Sequence, residues 1–250
     1  MRIAFLGCGY TGQFFSFSGD ETLRTSRSPT RADRPGWGRF DSTQPDTWPA
    51  VRHFAPDGVV VAFPLSGASE ERGLGEFLLA LSPRLVCLGT TAALAAAAGV
   101  VDDGSPLLPD NPRALAEEGW RQRGATVLHA AGIYGPGRNP LDWLRRRRIA
   151  NAGKLVNLVH GEDVARACRF VLEHFSPGER LVISDGRPRR WREIVAFAVQ
   201  RGHLADPQLP DRPDPTSKRV VPRLLPERGF TLIHPDLFVE LDILEGKERS

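Results

Sequence analysis

Short apolar runs alternate with stretches of helical spacing along most of the chain, and few architectures accept that order. Residues 3–6, 58–63, 85–88, 126–130, 155–159 and 180–183 are apolar, bounded by turn formers and too short for independent helices, which predicts buried strands. Between them, residues 70–81, 112–122, 140–150, 162–175 and 191–201 carry helical spacing. Parallel neighbours need crossover connections, so this order predicts an α/β fold, a doubly wound parallel sheet with helices on both faces. Residues 23–25 and 39–41 are weaker strand candidates, and the alanine-rich run 92–98 fits a short helix or loop. Prolines crowd residues 204–226, which predicts a loop-rich cap on the sheet, fed also by residues 135–151.

At the end of the first strand the chain reads Gly7-Cys8-Gly9-Tyr10-Thr11-Gly12. In G-x-G-x-x-G the first glycine makes a tight turn and the second lets the backbone approach a pyrophosphate. The third allows close packing, and a helix N-terminus then faces the anion. The motif is weak alone, but directly after a strand at the start of an alternating chain it predicts a Rossmann-type dinucleotide site. An acid closing the second strand would hold the ribose 2′-hydroxyl of NAD. This chain offers Arg24-Thr25-Ser26-Arg27-Ser28 there, so Ser26 and Arg27 favour the 2′-phosphate of NADP over NAD. The plainer alternative is that Arg24 and Arg27 are solvated surface charges.

Composition is that of an ordinary globular protein, 41% hydrophobic and 25% charged, and a net charge of +3 does not argue for nucleic acid. Cys8, Cys87 and Cys168 lie far apart in apolar runs, as buried thiols of a reducing cytoplasm do. No run suits a signal peptide or a bilayer span, so the expected partners are small molecules, without membrane or nucleic acid, and with a homodimer open. Two scarcities stand out. Lysine occurs only at Lys154, Lys218 and Lys247, and tyrosine only at Tyr10 and Tyr134.

Further runs follow the glycine loop: Leu88-Gly89-Thr90-Thr91, Gly132-Ile133-Tyr134-Gly135-Pro136-Gly137-Arg138, and Val159-His160-Gly161-Glu162-Asp163-Val164-Ala165. Together with the alternation, the chain resembles the short-chain dehydrogenase/reductase superfamily in its extended or atypical branch, the NAD-dependent epimerase/dehydratase-like proteins. The His-x-x-Asp-Val-Ala run departs from the commoner His-Val-Asp-Asp form. The resemblance implies one NAD(P)-binding Rossmann domain over residues 1–250, with a small C-terminal substrate lobe from about 135–151 and 184–250. It implies cofactor contacts from Gly7, Gly9, Tyr10, Thr11 and Gly12. Asp41, ending the third strand, would lie near the adenine, and Phe63 and Pro64 where the fourth strand passes the cofactor. Thr90 and Thr91 match a Ser/Thr pair whose second hydroxyl bonds the substrate oxygen. Ala131 to Tyr134, with Ile133, match the segment beside the nicotinamide; Arg138, Asn139 and His160 would face substrate.

The family's proton relay is Tyr-x-x-x-Lys, in which the ammonium lowers the phenol pKa. Four residues after Tyr10 comes Phe14, and four after Tyr134 comes Arg138, so the motif is absent. Arg113, on the corresponding helix, can stand in as a cation but not as a proton carrier. Thr91 remains as a hydrogen-bonding hydroxyl. His160 and Asp163 read either as an acid–base pair or as a structural polar turn in which Asp163 caps the following helix. His129, in an apolar strand, reads as a hydrogen-bonded core residue. The remaining histidines show no metal-ligand spacing, so no metal is expected. Arg145 to Arg148 read as a solvated helix face, with an anionic substrate the other option. The sequence therefore predicts an NAD(P)-binding oxidoreductase or epimerase/dehydratase-like enzyme working atypically on a small carbonyl, hydroxyl or nucleotide-sugar-like substrate. The competing readings are a non-catalytic NADP(H)-binding redox sensor or regulator, and a sugar-nucleotide binder that has lost the chemistry.

Overall fold

The computed structural model describes residues 1–65, 73–96 and 99–248. In chain order the main elements begin with β1 (Arg2–Leu6), β2 (Glu21–Ser26), α1 (Pro29–Ala32), β3 (Trp37–Arg39), α2 (Pro49–Phe54), β4 (Gly58–Val61), α3 (Leu74–Leu81) and β5 (Leu85–Thr90). There follow β6 (Val100–Val101), α4 (Pro112–Gln122), β7 (Thr126–Ala130), β8 (Gly132–Tyr134), α5 (Pro140–Arg145), β9 (Leu155–Val156) and β10 (Leu158–His160). The chain closes with α6 (Gly161–His174), β11 (Arg180–Ile183), β12 (Arg189–Arg190), α7 (Trp191–Gln200), β13 (Arg219–Val220), α8 (Leu224–Glu227) and α9 (Leu237–Glu248).

Seven strands form one sheet in the order β11-β7-β5-β4-β1-β2-β3, every neighbouring pair parallel. The order reverses at β1, the point at which open α/β sheets leave a crevice for ligands. Alternate residues of the central strands feed two cores. Ile3, Phe5, Val60, Val86 and Leu128 pack with α6 through Val164, Cys168, Val171 and Leu172. Their neighbours Ala4, Leu6, Val59, Val61, Cys87 and Val127 pack on the other face with Leu74, Leu78 and Trp120. The 3.6-residue spacing of the α6 apolar positions explains why that segment is a helix with one buried stripe. Asn111 starts α4 by accepting from the N–H groups of Arg113 and Ala114, and Pro112 occupies the first turn, where a missing N–H costs nothing. A third core joins Tyr134, Leu141, Leu144, Leu158, Trp191, Ile194, Leu237 and Leu241.

Several expectations change. The run 155–159 is not a strand of the main sheet; it splits into β9 and β10, which pair with β12 and β8 in two small sheets. The third strand ends at Arg39, so Asp41 lies beyond it, bridged to Gln44. The helix over 140–150 stops at Arg145, and Arg147 has φ 51°, so the four arginines do not share a helix face. The proline-rich segment is mostly irregular but contributes β13, parallel to β6. Residues 70–72, at the start of a predicted helix, and 97–98, in the alanine run, lie outside the described residues. The largest difference follows the glycine loop. A 3-10 turn at Thr11–Phe14 stands there instead of a helix, and its residues pack against α6. Phe14, Phe15 and Phe17 spend this connection filling the core.

Candidate functional site

Two adjoining clefts run along the carboxyl ends of the strands, and Gly7, Gly9, Ala62 and Pro64 line both. The wider one, about 1110 Å³, is walled by Ser26, Arg27, Ser28 and Arg31 on one side and Phe40, Asp41 and Phe63 on the other. The second, about 500 Å³, carries Tyr10, Thr11, Thr90, Thr91, Arg113, Ala131, Ile133, Arg138 and Lys218.

The glycine loop suits a bound backbone-hugging ligand. Gly7 has φ 75°, a conformation that disfavours any side chain, and a Cβ there would meet Phe63 at 2.8 Å. At Gly9 a Cβ would meet nothing nearer than Gly7 O at 3.8 Å, so the missing side chain leaves the cleft floor open. Gly12 serves packing instead, because a Cβ there would collide with Cys8 Sγ and Phe5. Thr25 secures the loop, its Oγ1 accepting from Gly7 N at 3.1 Å and its carbonyl from Cys8 N at 2.8 Å. Asp41 accepts from both the N–H and the hydroxyl of Thr43, and these bonds, first the backbone one, hold its carboxyl pKa below the ordinary value against burial.

Neither tyrosine supplies the missing acid. Tyr10 lines the narrower cleft, yet its hydroxyl is buried without a partner among the described residues, and burial lifts its pKa to about 12 against the nearby Arg138. The Tyr134 ring is fully buried in the third core, away from both clefts, and burial raises its phenol further. This corrects its expected place beside the cofactor. Asn139 is also buried; it caps α5 and donates to Glu245 Oε1 at 2.8 Å. It lines a separate hollow with Arg138, Trp143, Arg146 and Arg148.

His160 does not line the cleft. Its ring lies behind Gly135 and Tyr10, and its Nδ1 caps α6 by accepting from Glu162 N at 3.3 Å. Asp163 therefore is not the cap. It is fully buried and accepts from Ile233 N and His234 N, tying the C-terminal segment to α6. The His234 ring lies tilted by 40° against that of His160, centroids 3.7 Å apart, and reaches Glu162 and Glu240 with its two nitrogens. Burial opposes charge on His234, but those carboxylates prevail and raise its pKa. Ligand atoms of His160, Glu162 and His234 lie within 4.8 Å of one another, a grouping assembled across the fold that spacing along the chain could not show. His129 Nδ1 lies 3.1 Å from Thr90 O in the buried sheet, as a core histidine should.

Two charged residues of the clefts were not expected there from the sequence. Arg31 reaches the wider cleft from α1, beside Arg27. Lys218 enters the narrower one from the proline-rich segment, its Nζ donating to Thr91 O at 2.5 Å and Leu94 O at 3.1 Å. Lys218 opens a stretch expected in the substrate lobe, but nothing singles out the lysine itself, because its partners lie more than a hundred residues away.

No described helix is long and apolar enough to cross a membrane. No family model matches the chain. Protein YeeZ of Escherichia coli strain K12 is 28% identical over 167 residues, a match spanning 63% of this chain and 61% of that protein. Among solved structures, UDP-N-acetylglucosamine 4-epimerase from Bacillus cereus superposes with a TM-score of 0.78 at 16% identity, covering 100% of this chain and 99% of the other. The Bordetella bronchiseptica enzyme WbmH, solved with NAD+, gives 0.76 at 16% identity, covering 100% and 98%. Over its whole length, then, this chain has the Rossmann-type α/β fold of those solved structures.

Proposed function

We propose that this protein is an NAD(P)-dependent oxidoreductase or epimerase-type enzyme, with NADP the preferred cofactor. The observation that carries the reading is the continuity of the two clefts across the glycine loop, at the strand-order reversal where dinucleotides bind in such sheets. Gly7 and Gly9 would lie against the pyrophosphate. The wider cleft would take the adenosine half, with Asp41 and Phe63 near the base. Arg27 and Arg31, with Ser26 and Ser28, offer charge and donors for a 2′-phosphate. The narrower cleft would take the nicotinamide half between Thr90 and Ala131–Ile133. Solved structures of this fold that hold NAD add support.

When bound, a nicotinamide supplies reversible hydride exchange with a carbon bearing a hydroxyl or carbonyl. The chain's own residues position the substrate. Thr91, at the end of β5 and only 8% exposed, offers a hydroxyl to a substrate oxygen from a rigid turn. Arg113 backs that wall, held by Glu117 and by Leu88 O. Orientation and exclusion of water carry more of the work in a site without a phenol acid.

The test is NADPH binding by fluorescence, followed by turnover across a panel of carbonyl compounds and sugar nucleotides. Binding with turnover that Thr91→Val lowers at least about tenfold supports the assignment, the loss expected of one positioned hydrogen bond. Binding without turnover anywhere on the panel removes the enzyme reading in favour of a cofactor sensor. Absence of binding removes both.

A further inference from the structure

The narrower cleft is electrostatically one-sided. Among the described residues, Arg113, Arg138 and Lys218 line it, and no carboxylate side chain does. Glu117 pairs with Arg113 at 2.7 Å and offsets its charge. Arg138 lies over the Tyr10 ring, 5.4 Å from its centroid. Lys218 is the most unusual of the three. Among the described residues its ammonium meets only the carbonyl oxygens of Thr91 and Leu94, with no carboxylate partner. An ammonium has three N–H donors, so one remains for the cleft. A half-buried charge held by neutral oxygens alone is costly unless something completes it.

Lys218 is delivered there by design of the chain around it. Asn157 Nδ2 donates to Lys218 O at 2.8 Å, and Asn157 Oδ1 accepts from Val220 N at 2.8 Å. Ser217 Oγ accepts from Leu155 N, and Arg219 pairs with Val100 in the β13–β6 ladder. The backbone is thus fixed on both sides of the lysine. Its carbonyl partners follow β5, whereas the glycine loop follows β1, and β4 lies between. Two strand spacings separate them, about 10 Å, so the ammonium sits apart from the phosphate-binding turn.

We propose that Lys218 and Arg138 form an oxyanion site at the reacting end of the cleft, and that the substrate carries a carboxylate or phosphate group. Its place beside the reacting atoms rests on the dinucleotide reading above. Burial lowers the Lys218 pKa, so its charge, and with it the affinity for an anion, is lost at lower pH than for an ordinary lysine.

Calorimetric titration of the NADP+-saturated chain with oxamate, inorganic phosphate and neutral oxamide tests the site and separates carboxylate from phosphate. One or both oxyanions should bind and oxamide should not. Lys218→Met should weaken the oxyanion at least about tenfold while NADP+ affinity stays within about twofold, and Lys218→Arg should retain it within about threefold. Wild-type oxyanion affinity should fall with rising pH, whereas that of Lys218→Arg should stay flat over the same range, a contrast that a merely structural lysine would not produce. The proposal is overturned by lack of oxyanion binding, by equal binding of oxamide, or by matching losses of oxyanion and NADP+ in Lys218→Met. If NADP+ itself does not bind, the dinucleotide reading fails, and the same titrations of the chain alone decide the anion site. If Lys218→Met does not fold, the paired pH profiles decide it.

Discussion

Arg113 Nε donates to Glu117 Oε1 at 2.7 Å across one turn of α4, the helix on which the resembled family carries its tyrosine and lysine four residues apart. The guanidinium and a carboxylate 2% exposed occupy this turn, with no phenol on the helix. Arg113 also donates to Leu88 O at the end of β5, and Glu117 Oε2 lies 3.5 Å from His129 Nδ1. Burial takes the His129 pKa down to about 4, so this contact is not an ion pair at neutral pH. The pair braces the wall of the cleft.

Glu117→Ala should therefore cost stability more than it alters a proton relay. It takes the carboxylate from the part-exposed Arg113 and opens a void beside the buried His129, a loss of about 2 kcal/mol. Urea unfolding measures it; a loss below about 1 kcal/mol, the range of an exposed pair, would contradict the buried brace.

Glu118, one residue on, predicts an acid limb. Hydrogen bonds from Arg121 first, against burial, and then from Arg180 hold its pKa at about 2 instead of 4.5. The folded state binds that proton less readily than the unfolded chain. Its contribution is complete above pH 4.5 and disappears as pH falls toward 2, amounting to about 1–2 kcal/mol after solvent screening. Stability curves of the native chain and Glu118→Gln should converge across that window; parallel curves would refute the assignment.

Gly9→Ala and Gly12→Ala should fail in different ways. The Gly9 methyl has room in the unliganded fold, so the midpoint of unfolding stays put while dinucleotide binding weakens by at least about tenfold. The Gly12 methyl collides with Cys8 and Phe5 and should lower stability by about 1–3 kcal/mol. Thermal unfolding with and without NADPH distinguishes the two; a Gly9→Ala protein that binds normally would place the pyrophosphate elsewhere.

Arg27→Ala combined with Arg31→Ala should weaken NADP+ by about tenfold or more and leave NAD+ within about twofold, because only the former carries the 2′-phosphate. Fluorescence titration with both cofactors measures the ratio. Equal losses would mean that these guanidinium groups serve the shared part of the molecule.

The elements that matched the sequence reading are those with a clear period and clear ends. β7 and β11 are short apolar runs between turn formers, and α4 begins at Asn111-Pro112 as its cap chemistry dictates. The glycine loop was legible for the same reason. What followed it was not, because Phe14, Phe15 and Phe17 read equally well as a helix face or as core plugs, and tertiary packing chose the latter. Tyr134 and Asn139 were misplaced because a motif fixes the backbone path but not which side of it faces a cleft. Arg31 and Lys218 depend on contacts made across space, the second through a pair of two-residue strands too short to leave any period.

That late-arriving strand has a consequence for biogenesis. The glycine loop and the wider cleft are lined by residues 7–64, whereas the wall holding Lys218 closes only when β13 finds β6, across more than a hundred residues of chain. Contacts of such sequence separation form late in folding. A growing chain on the ribosome would thus complete its wider cleft well before the narrower one, and premature termination before β13 would leave the glycine loop without the lysine that closes that wall.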